Sequence, residues 1–360
     1  MRILMGTQVR LDGSQGGARH VIGLTSAWAQ AGHQVCLLAP GHWASQPDGL
    51  EHLAPRREAP GLRMELALAG LAMRRLTLRV PEIAYVRLSA SSSALPAALV
   101  TARVPLWLEL NGPILDELQA RGRSRRRIEA VRLALKATVA TARGVVAVEP
   151  SIAEHARREL GAKSIFVVEN GVQLDVATPG DRMEARRRLG LSTELRYVGF
   201  AGTLAPELRL DVILPLLERM DLRLLVAGDG PAARRLKGKP RVKWLGAVNH
   251  DQAIEVLRAC DVCLGLREGW MGMRPLESVA VGRRLALWGG QGGERLRELC
   301  AELPDFVFVG RDPGGFERAL QDALEAEARL GPPSEDELEP VRRRLGWEET
   351  ARRLIELFRA

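Results

Sequence analysis

The sequence predicts a soluble α/β protein made of two similar halves, each built on an open parallel sheet. The chain has 360 residues, which is enough for about two domains of ordinary size. Apolar, strand-like runs alternate with helix-like segments along both halves, and this alternation is typical of parallel βαβ units. The composition, 46% hydrophobic and 27% charged, is that of a folded globular chain.

The first half opens with a βαβ unit. RILMGT (2–7) predicts a strand, LDGSQGGARH (11–20) a glycine loop, residues 18–31 a helix, and QVCLLAP (34–40) the next strand. Further strands are predicted at IAYVRL (83–88), PLWLEL (105–110), GVVAVEP (144–150) and IFVVEN (165–170). Strands that are joined by helices in this way lie parallel in one sheet.

The second half repeats this alternation after a polar connection. Strands are predicted at RYVGFAGTL (196–204), LRLLVAG (222–228), VKWLG (242–246), VCLGL (262–266) and RLALW (284–288), with helices at 210–220, 251–260 and 275–282. The last residues, WEETARRLIELFRA, predict an amphipathic helix. We therefore expect a first domain at 1–172, a linker at 173–193, a second domain at 194–345 and a closing helix at 346–360.

Bulk properties exclude several classes of protein. No apolar run reaches the length of a membrane span, and MRILMGTQV does not have the pattern of a signal peptide. Four cysteines suit a reducing cytosol, and we expect the Cys260–Cys263 pair to be buried rather than to bind zinc. The net charge of +8 first suggests an anionic partner, but the arginine excess is explained at least as well by a GC-rich genome.

Three glycine-containing stretches are candidates for binding phosphate. Gly16 and Gly17 lie between a strand and a helix, where backbone amides can approach an anion; the alternative is a plain surface turn. VAGDGPAARRL matches G-x-G-x-x-A after a strand, but no acidic residue ends a strand about 20 residues further on. In GMRPLES, Glu277 falls in the first turn of a helix. It either stabilises the helix dipole or accepts hydrogen bonds from vicinal hydroxyls of a ribose.

An ordered set of motifs resembles one family. In the first half the set comprises RILMGT, SQGGARHVIGLTSAWAQAGHQV, LWLELNGP and ENGVQLD; in the second half it comprises VGFAGTL, LLVAGDGP, VKWLGAV, ACDVCLGL and GMRPLESVAVGRRLAL. Together they resemble the retaining, nucleotide-sugar-dependent glycosyltransferases of GT-B family 4, over nearly the whole chain. The resemblance implies two Rossmann-like domains facing each other across a cleft, with the C-terminal helix closing back on the N-terminal domain.

The resemblance also implies transfer of a sugar from a nucleoside-diphosphate sugar, with UDP or GDP as the expected nucleotide, with retention at the anomeric carbon, and without a metal or other cofactor. Relatives bind the diphosphate with an Arg and a Lys in a pattern like G-R-L-x-x-x-K-G. In GTLAPELRLD, Gly202 is kept, Thr203 stands at the Arg position and Leu208 at the Lys position. We expect Thr203 to donate a hydrogen bond to the phosphates and Arg209, one residue further along, to supply the charge. The alternative for Arg209 is a solvated residue at a helix start.

The paired glutamates of the family are separated by seven residues, whereas eight residues separate Glu268 from Glu277 here. Alignment on P-L-E makes Glu277 the ribose-binding glutamate and displaces Glu268, the candidate for the donor sugar, by one residue. We expect Gly272, Met273, Arg274 and Leu276 to contribute to the same donor site. By the same resemblance, the backbone of Leu245, Gly246 and Val248 is expected to hold the base.

On the acceptor side, Asn111 falls where many relatives have a histidine, and Glu109 lies two residues earlier on the same side of the strand. With Arg209 and Glu268, these two residues are the catalytic candidates. Asn cannot act as a general base, so the donor phosphate would take the acceptor's proton while Asn111 positions the acceptor or the sugar. The alternative is that Asn111 and Gly112 form an ordinary turn.

The expected partners are a nucleotide-sugar donor and an unidentified glycan, lipid-linked or small-molecule acceptor, with no nucleic acid, in the cytoplasm. The basic segment 121–142, with Ile128, Val131, Leu135 and Val139 at helical spacing, could lie on an anionic membrane; an ordinary domain helix is favoured. Two other functions stay open. One is a catalytically degenerate nucleotide-binding protein, and the other, less favoured, is an NAD(P)-dependent oxidoreductase that uses GDGPAA.

Overall fold

The computed structural model describes residues 1–12, 16–56, 60–267 and 272–360. By their contacts, the residues form two compact units. Unit 1 is Met1–Gly171 with Trp347–Ala360, and unit 2 is Val172–Gly346. Each unit contains a parallel sheet with helices packed against it, which confirms the predicted α/β class.

Unit 1 contains seven of the described strands and most of the helices that surround them. The strands are β1 (Arg2–Gly6), β2 (Gln34–Leu38), β3 (Leu50–Leu53), β4 (Ile83–Arg87), β5 (Leu106–Leu110), β6 (Gly144–Ala147) and β7 (Ile165–Val167). The helices between them are α1 (Gly16–Gln30), α2 (Leu62–Leu78), α3 (Ala94–Thr101), α4 (Ile114–Ala120), α5 (Arg125–Ala140) and α6 (Pro150–Leu160).

The strand order in unit 1 is β3-β2-β1-β4-β5-β6-β7, with every pair parallel. The order reverses between β1 and β4, where Gly6 lies beside Val86. In open α/β sheets, ligands bind outside the carboxyl ends of the strands at such a switch point. Residues that follow β1 and end β4 are therefore the first candidates for a site in unit 1.

Unit 2 repeats this topology with six strands. They are β8 (Tyr197–Ala201), β9 (Arg223–Ala227), β10 (Val242–Trp244), β11 (Val262–Gly265), β12 (Arg284–Trp288) and β13 (Val307–Gly310), in the order β10-β9-β8-β11-β12-β13. The helices of unit 2 are α7 (Arg182–Arg188), α8 (Leu210–Arg219), α9 (His250–Ala259), α10 (Arg274–Ala280), α11 (Gln291–Leu299), α12 (Pro313–Leu330) and α13 (Glu335–Leu345). The last helix, α14 (Trp347–Arg359), belongs to unit 1. The switch point of this sheet lies between β8 and β11.

The central strands are buried on both faces, and this is why they appear in the sequence as continuous apolar runs. β5 is the clearest example, since all five of its residues are buried. Glu109 is the polar exception within it and is only 1% exposed. A carboxylate at such a position requires partners within the protein, and those partners define the candidate site in unit 1.

The 173–193 segment, predicted as a linker, packs on unit 2. Its helix α7 lies against α9 and carries Arg186, which is only 2% exposed. The Arg186 guanidinium donates to the carbonyl oxygens of Ala259 at 2.9 Å and Thr193 at 3.3 Å, and to the Asp261 carboxylate at 2.6 Å. These bonds attach the segment to the second sheet.

Helix α14 packs back on unit 1, as the sequence predicted. Phe358 contacts the rings of Trp28, Tyr85 and Trp107, with centroid distances of 6.2, 5.5 and 5.3 Å. Near the start of α14, the Trp347 ring covers Gly23, where a Cβ atom would fall 2.2 Å from the indole nitrogen. The last turn of the chain is therefore part of the core of the first unit.

The basic helix α5 uses its apolar side inside unit 1. Leu135 and Val139 are buried in the core, and Ile128 and Val131 pack partly against it. This packing favours the ordinary domain helix over a helix that lies on a membrane. Among the described helices, none is long and apolar enough to cross a bilayer.

Candidate functional site

Glu109 is the centre of a buried polar cluster at the carboxyl end of β5. Nε2 of His20, on α1, lies 2.9 Å from the Glu109 carboxylate, and the Asn111 side-chain amide donates to the same carboxylate. Burial raises the pKa of Glu109, but the charges and hydrogen bonds of His20, Arg87 and Tyr85 outweigh it and hold the pKa at about 2. Glu109 is therefore an ionised anchor.

Asn111 follows directly and is half-buried. Because its amide nitrogen is oriented by Glu109, the two side chains do lie on the same side of the chain, as the spacing predicts. No described residue donates a hydrogen bond to its Oδ1 atom. Asn111 thus presents a fixed acceptor at the carboxyl edge of the sheet, and its contact with Glu109 is more than an ordinary turn requires.

Arg87 ends β4 at the switch point, and the sequence analysis did not single it out. Its Nη1 atom lies 3.5 Å from Glu109, too far for a hydrogen bond, and its side chain is 16% exposed. No described residue accepts a hydrogen bond from this guanidinium, and Nη1 is fully buried. Burial lowers the pKa of Arg87 against the opposing attraction of Glu109. A charged residue that ends an apolar strand was the available signal in IAYVRL.

A second polar group lies after β1, at the same edge of the sheet. The Gln8 amide donates to Glu65 at 2.6 Å and to the hydroxyls of Ser89 and Ser91 at 2.7 and 3.0 Å. Glu65, on α2, is 1% exposed and accepts from the Leu95 backbone at 3.2 Å. These bonds fix the loop that leads from β4 to α3, and the sequence analysis missed them because the partners are far apart in the chain.

Gly16 and Gly17 form the first residues of α1, and Gly17 lies beside Arg87. A Cβ atom built on Gly17 would lie 3.8 Å from Nη2 of Arg87 and 3.3 Å from a methyl group of Val9. The predicted phosphate-binding glycines are therefore helical and next to a guanidinium at the switch point. The preceding residues 13–15 lie outside the described part of the chain.

In unit 2, three glycines join the loops that follow β8, β9 and β10. The Gly202 amide donates to the Ala227 carbonyl at 2.8 Å, and the Gly228 amide donates to the Gly246 carbonyl at 2.7 Å. Gly228 has φ of 134°, and a Cβ there would lie 1.8 Å from the Gly202 carbonyl oxygen. Only glycine permits this close approach, so the GDGP stretch has a structural role.

The same stretch does not continue as a dinucleotide fingerprint requires. After Gly230, residues Pro231–Arg235 form a short 3-10 helix. The dinucleotide motif needs a longer α-helix whose N-terminus faces the pyrophosphate. The Gly230 position is also closed, because a Cβ there would lie 2.6 Å from the Leu204 carbonyl oxygen. This geometry disfavours the oxidoreductase alternative.

The residues that stand at the family's Arg and Lys positions differ in accessibility. Thr203 is exposed, whereas Leu208 is 2% exposed and forms an isolated bridge with Arg267. Arg209 is half-buried; its guanidinium pairs with Asp211 at 2.9 Å and lies 4.0 Å above the Trp288 ring. Arg209 is therefore held in place by protein partners, which is more than the solvated alternative implied.

Glu277 is buried in the first turn of α10, with 2% exposure. Its Oε2 atom accepts from Arg274, and its Oε1 atom lies 3.9 Å from Nε2 of His250, beyond hydrogen-bond distance. Within the described residues, no donor bonds to Oε1. The carboxylate is thus held through Oε2, while Oε1 can still accept a hydrogen bond from a ligand.

The remaining donor-site candidates lie around Glu277. Gly272, with φ of 74°, and Met273 precede the helix, and both are half-buried; Leu276 is buried in the core. Leu276 therefore packs α10 against the core of unit 2. Glu268 lies outside the described residues, so its placement stays a prediction.

The segment predicted to hold the base runs past the end of β10. The Leu245 amide donates to the Val226 carbonyl at 2.9 Å, and the Gly246 carbonyl is already bonded to Gly228. Leu245 and Val248 pack partly against the core of unit 2. Much of this backbone is thus committed to internal bonds.

Cys260 and Cys263 are both fully buried, as predicted. Among the described residues, no group of three or more His, Cys, Asp and Glu side chains is placed to hold a metal ion.

Comparison with known sequences gives two family matches. Residues 14–176 match Glycosyltransferase Family 4, and residues 195–326 match Glycosyl transferases group 1. A D-inositol 3-phosphate glycosyltransferase of Mycolicibacterium vanbaalenii is 31% identical over 189 residues, which is 45% of this chain and 41% of that protein. The Stackebrandtia nassauensis protein of the same name is 33% identical over 123 residues, or 27% of each chain. The matches thus span less than half the length of these curated relatives.

Solved structures show the same fold over the full chain. Sucrose-phosphate synthase from Thermosynechococcus elongatus gives a TM-score of 0.77 at 16% identity, covering 100% of this chain and 98% of the other. HepE from Anabaena, in complex with UDP, gives 0.73 at 15% identity, covering 99% of each chain. At these identities the likeness concerns the fold. Taken with the two sequence matches, it shows that the chain belongs to the GT-B glycosyltransferases, with a family 4 N-terminal part and a group 1 C-terminal part.

Proposed function

We propose that this protein transfers a glycosyl group from a nucleoside-diphosphate sugar to a hydroxyl acceptor, with retention at the anomeric carbon and without a metal ion. The observation that carries the donor site is Glu277. It lies at the carboxyl edge of the second sheet. One of its oxygens accepts a hydrogen bond from Arg274, and no described residue donates a hydrogen bond to the other. A ribose offers two adjacent hydroxyl donors to a carboxylate in that position.

In the proposed reaction, the bond between the anomeric carbon and the diphosphate oxygen breaks as the acceptor oxygen attacks from the same face. The acceptor's proton passes to an oxygen of the leaving diphosphate. Positive groups must stabilise the charge that develops there. We assign this role to the Arg209 guanidinium, and we expect the Thr203 hydroxyl to add a neutral hydrogen bond to the diphosphate. Gly202 allows the backbone to approach the diphosphate closely.

On unit 1, Asn111 is proposed to position the acceptor hydroxyl through its Oδ1 atom. Glu109 is a positioning residue for Asn111 and does not itself contact the substrate, because His20 and Asn111 engage its two oxygens. This revises the catalytic role that the sequence suggested for Glu109. Glu268 keeps its proposed contact with the donor sugar.

The test is a panel of UDP-, GDP-, TDP- and ADP-sugars, scored by thermal shift and by donor hydrolysis. We expect one nucleotide to raise the melting temperature and its sugar to be released slowly in the absence of an acceptor. If no nucleotide stabilises the protein, the donor site is wrong. Stabilisation without hydrolysis or transfer would favour the catalytically degenerate alternative.

A further inference from the structure

Arg87 is a half-buried cation that makes no hydrogen bond to any described residue. Its side chain is 16% exposed, Nη1 is fully enclosed, and no described residue accepts from any of its nitrogens. A guanidinium carries five N–H donors. Burying a charged group whose donors are unused costs free energy, and proteins keep such an arrangement mainly where a ligand supplies the missing partner.

The carboxylates near Arg87 do not satisfy it. Glu109 lies 3.5 Å away, but its oxygens already accept from His20 and Asn111. Glu117 attracts Arg87 from a greater distance and is paired with Arg121 at 3.1 Å. The attraction of both carboxylates is outweighed by burial. The N–H donors of Arg87 therefore have no acceptor among the described residues, and the oxygens of a bound anion would supply one.

The position of Arg87 is that of a ligand-binding residue. It ends β4 beside β1, at the switch point of the sheet, where open α/β folds bind their ligands. Gly17 lies next to Nη2, and the absence of a side chain there leaves the approach open. Asn111, which we assign to the acceptor, is linked to Arg87 through Glu109.

We propose that Arg87 binds an anionic oxygen group of the acceptor, so that the acceptor of this enzyme is a phosphorylated hydroxyl compound. The planar guanidinium pairs with phosphate through two parallel hydrogen bonds, which gives direction as well as charge. Glu109 then has a second role, because it holds Arg87 in place electrostatically while leaving its donors unused. That the bound anion belongs to the acceptor rests on the proposed transfer reaction, whereas the anion site itself does not.

The first test uses the full-length protein without nucleotide. Millimolar inorganic phosphate, or glucose 6-phosphate, should raise the melting temperature by about 2–4 °C over chloride at matched ionic strength. Glucose should have no effect. Arg87→Met should abolish the phosphate response, Arg87→Lys should keep part of it, and the exposed Arg63→Met should keep all of it. Equal responses of the wild type and Arg87→Met would overturn the proposal, as would no response of the wild type.

The second test separates the acceptor from the donor diphosphate. A nucleotide that stabilises the wild type should stabilise Arg87→Met to the same extent. Loss of both the phosphate and the nucleotide responses in Arg87→Met would move Arg87 to the donor and overturn the acceptor assignment. A wild type that responds to phosphate and to no nucleotide would leave the anion site intact and refute the proposed function.

Discussion

The two units use buried arginines in opposite ways. In unit 2, Arg284 donates to the carbonyl oxygens of Asp305 at 3.0 Å and Gly331 at 2.6 Å and pairs with Glu327, and Arg342 donates to three carbonyl oxygens, those of Ala177, Ala280 and Leu174. In unit 1, the Arg87 side chain is half-buried and makes no hydrogen bond to the described residues. The first kind of arginine connects distant segments, and the second is available to a ligand.

This difference also changes how the arginine-rich composition is understood. A GC-rich genome can explain the large number of arginines, but the structure shows that some of these arginines also hold distant segments together. A guanidinium can reach several carbonyl oxygens at once, which a lysine ammonium does less well. Hydrogen-bond pairing distinguishes Arg284 and Arg342 from Arg87, to which we assign a ligand.

The strongest test of the contrast is a matched pair of substitutions. Arg186→Met removes the hydrogen bonds to the Ala259 and Thr193 carbonyl oxygens and takes from the buried Asp261 carboxylate one of its charged partners. We expect unit 2 to lose about 3–5 kcal/mol of unfolding free energy. Arg87→Met removes no hydrogen bond to a described residue, and we expect the unfolding free energy of unit 1 to change by less than about 1 kcal/mol. Urea unfolding of both variants gives these values; equal losses would contradict the distinction.

The next effect concerns pH. The pKa of Glu109 is lowered from 4.5 to about 2 in the folded protein. Its ionised form therefore stabilises unit 1 fully above pH 4.5, and this contribution, about 3 kcal/mol, is lost as pH falls from 4.5 to 2. Glu109→Gln should be much less stable than the wild type at pH 7. The gap should narrow markedly by pH 2.5; a gap that is the same at both values would refute the ionised anchor.

Two glycines give a smaller contrast. Gly228→Ala places a methyl group against the Gly202 carbonyl at an unfavourable φ, and we expect a loss of about 2–3 kcal/mol. Gly17→Ala places a methyl group within a helix, where its one tight contact is with Val9. We expect the unfolding free energy to change by no more than about 0.5 kcal/mol. Thermal unfolding of the two variants measures both. A neutral Gly228→Ala would show that the loops can separate.

Much of the fold could be predicted from the sequence, because strands buried on both faces leave continuous apolar runs such as LWLEL and RLALW. The 3-10 geometry of Pro231–Arg235 was not predicted, since nothing in the local sequence distinguishes a 3-10 helix from a short α-helix. The candidate site was predicted less completely. Asn111 was found through the family resemblance and Glu109 through its spacing from Asn111, but His20, which is 89 residues from Glu109, could not be found in either way.

Arg87 was missed for a related reason. A charged residue at the end of a strand is usually solvated, and its enclosure depends on α1 and β5 packing around it. Its lack of hydrogen bonds is a property of the assembled unit and has no counterpart in the sequence. Glu277, in contrast, was found through the P-L-E motif; the structure adds that one of its oxygens is engaged by Arg274 and the other is not.

The proposed function depends most directly on nucleotide binding at Glu277. Calorimetric titration of the best nucleoside diphosphate from the panel should be carried out on the wild type, Glu277→Gln and Glu268→Gln, each checked for native circular dichroism. We predict that Glu277→Gln weakens binding by at least about tenfold, as expected for the loss of charge-assisted hydrogen bonds to a ribose, and that Glu268→Gln weakens it far less. Equal affinities of the wild type and Glu277→Gln would contradict the proposed donor site.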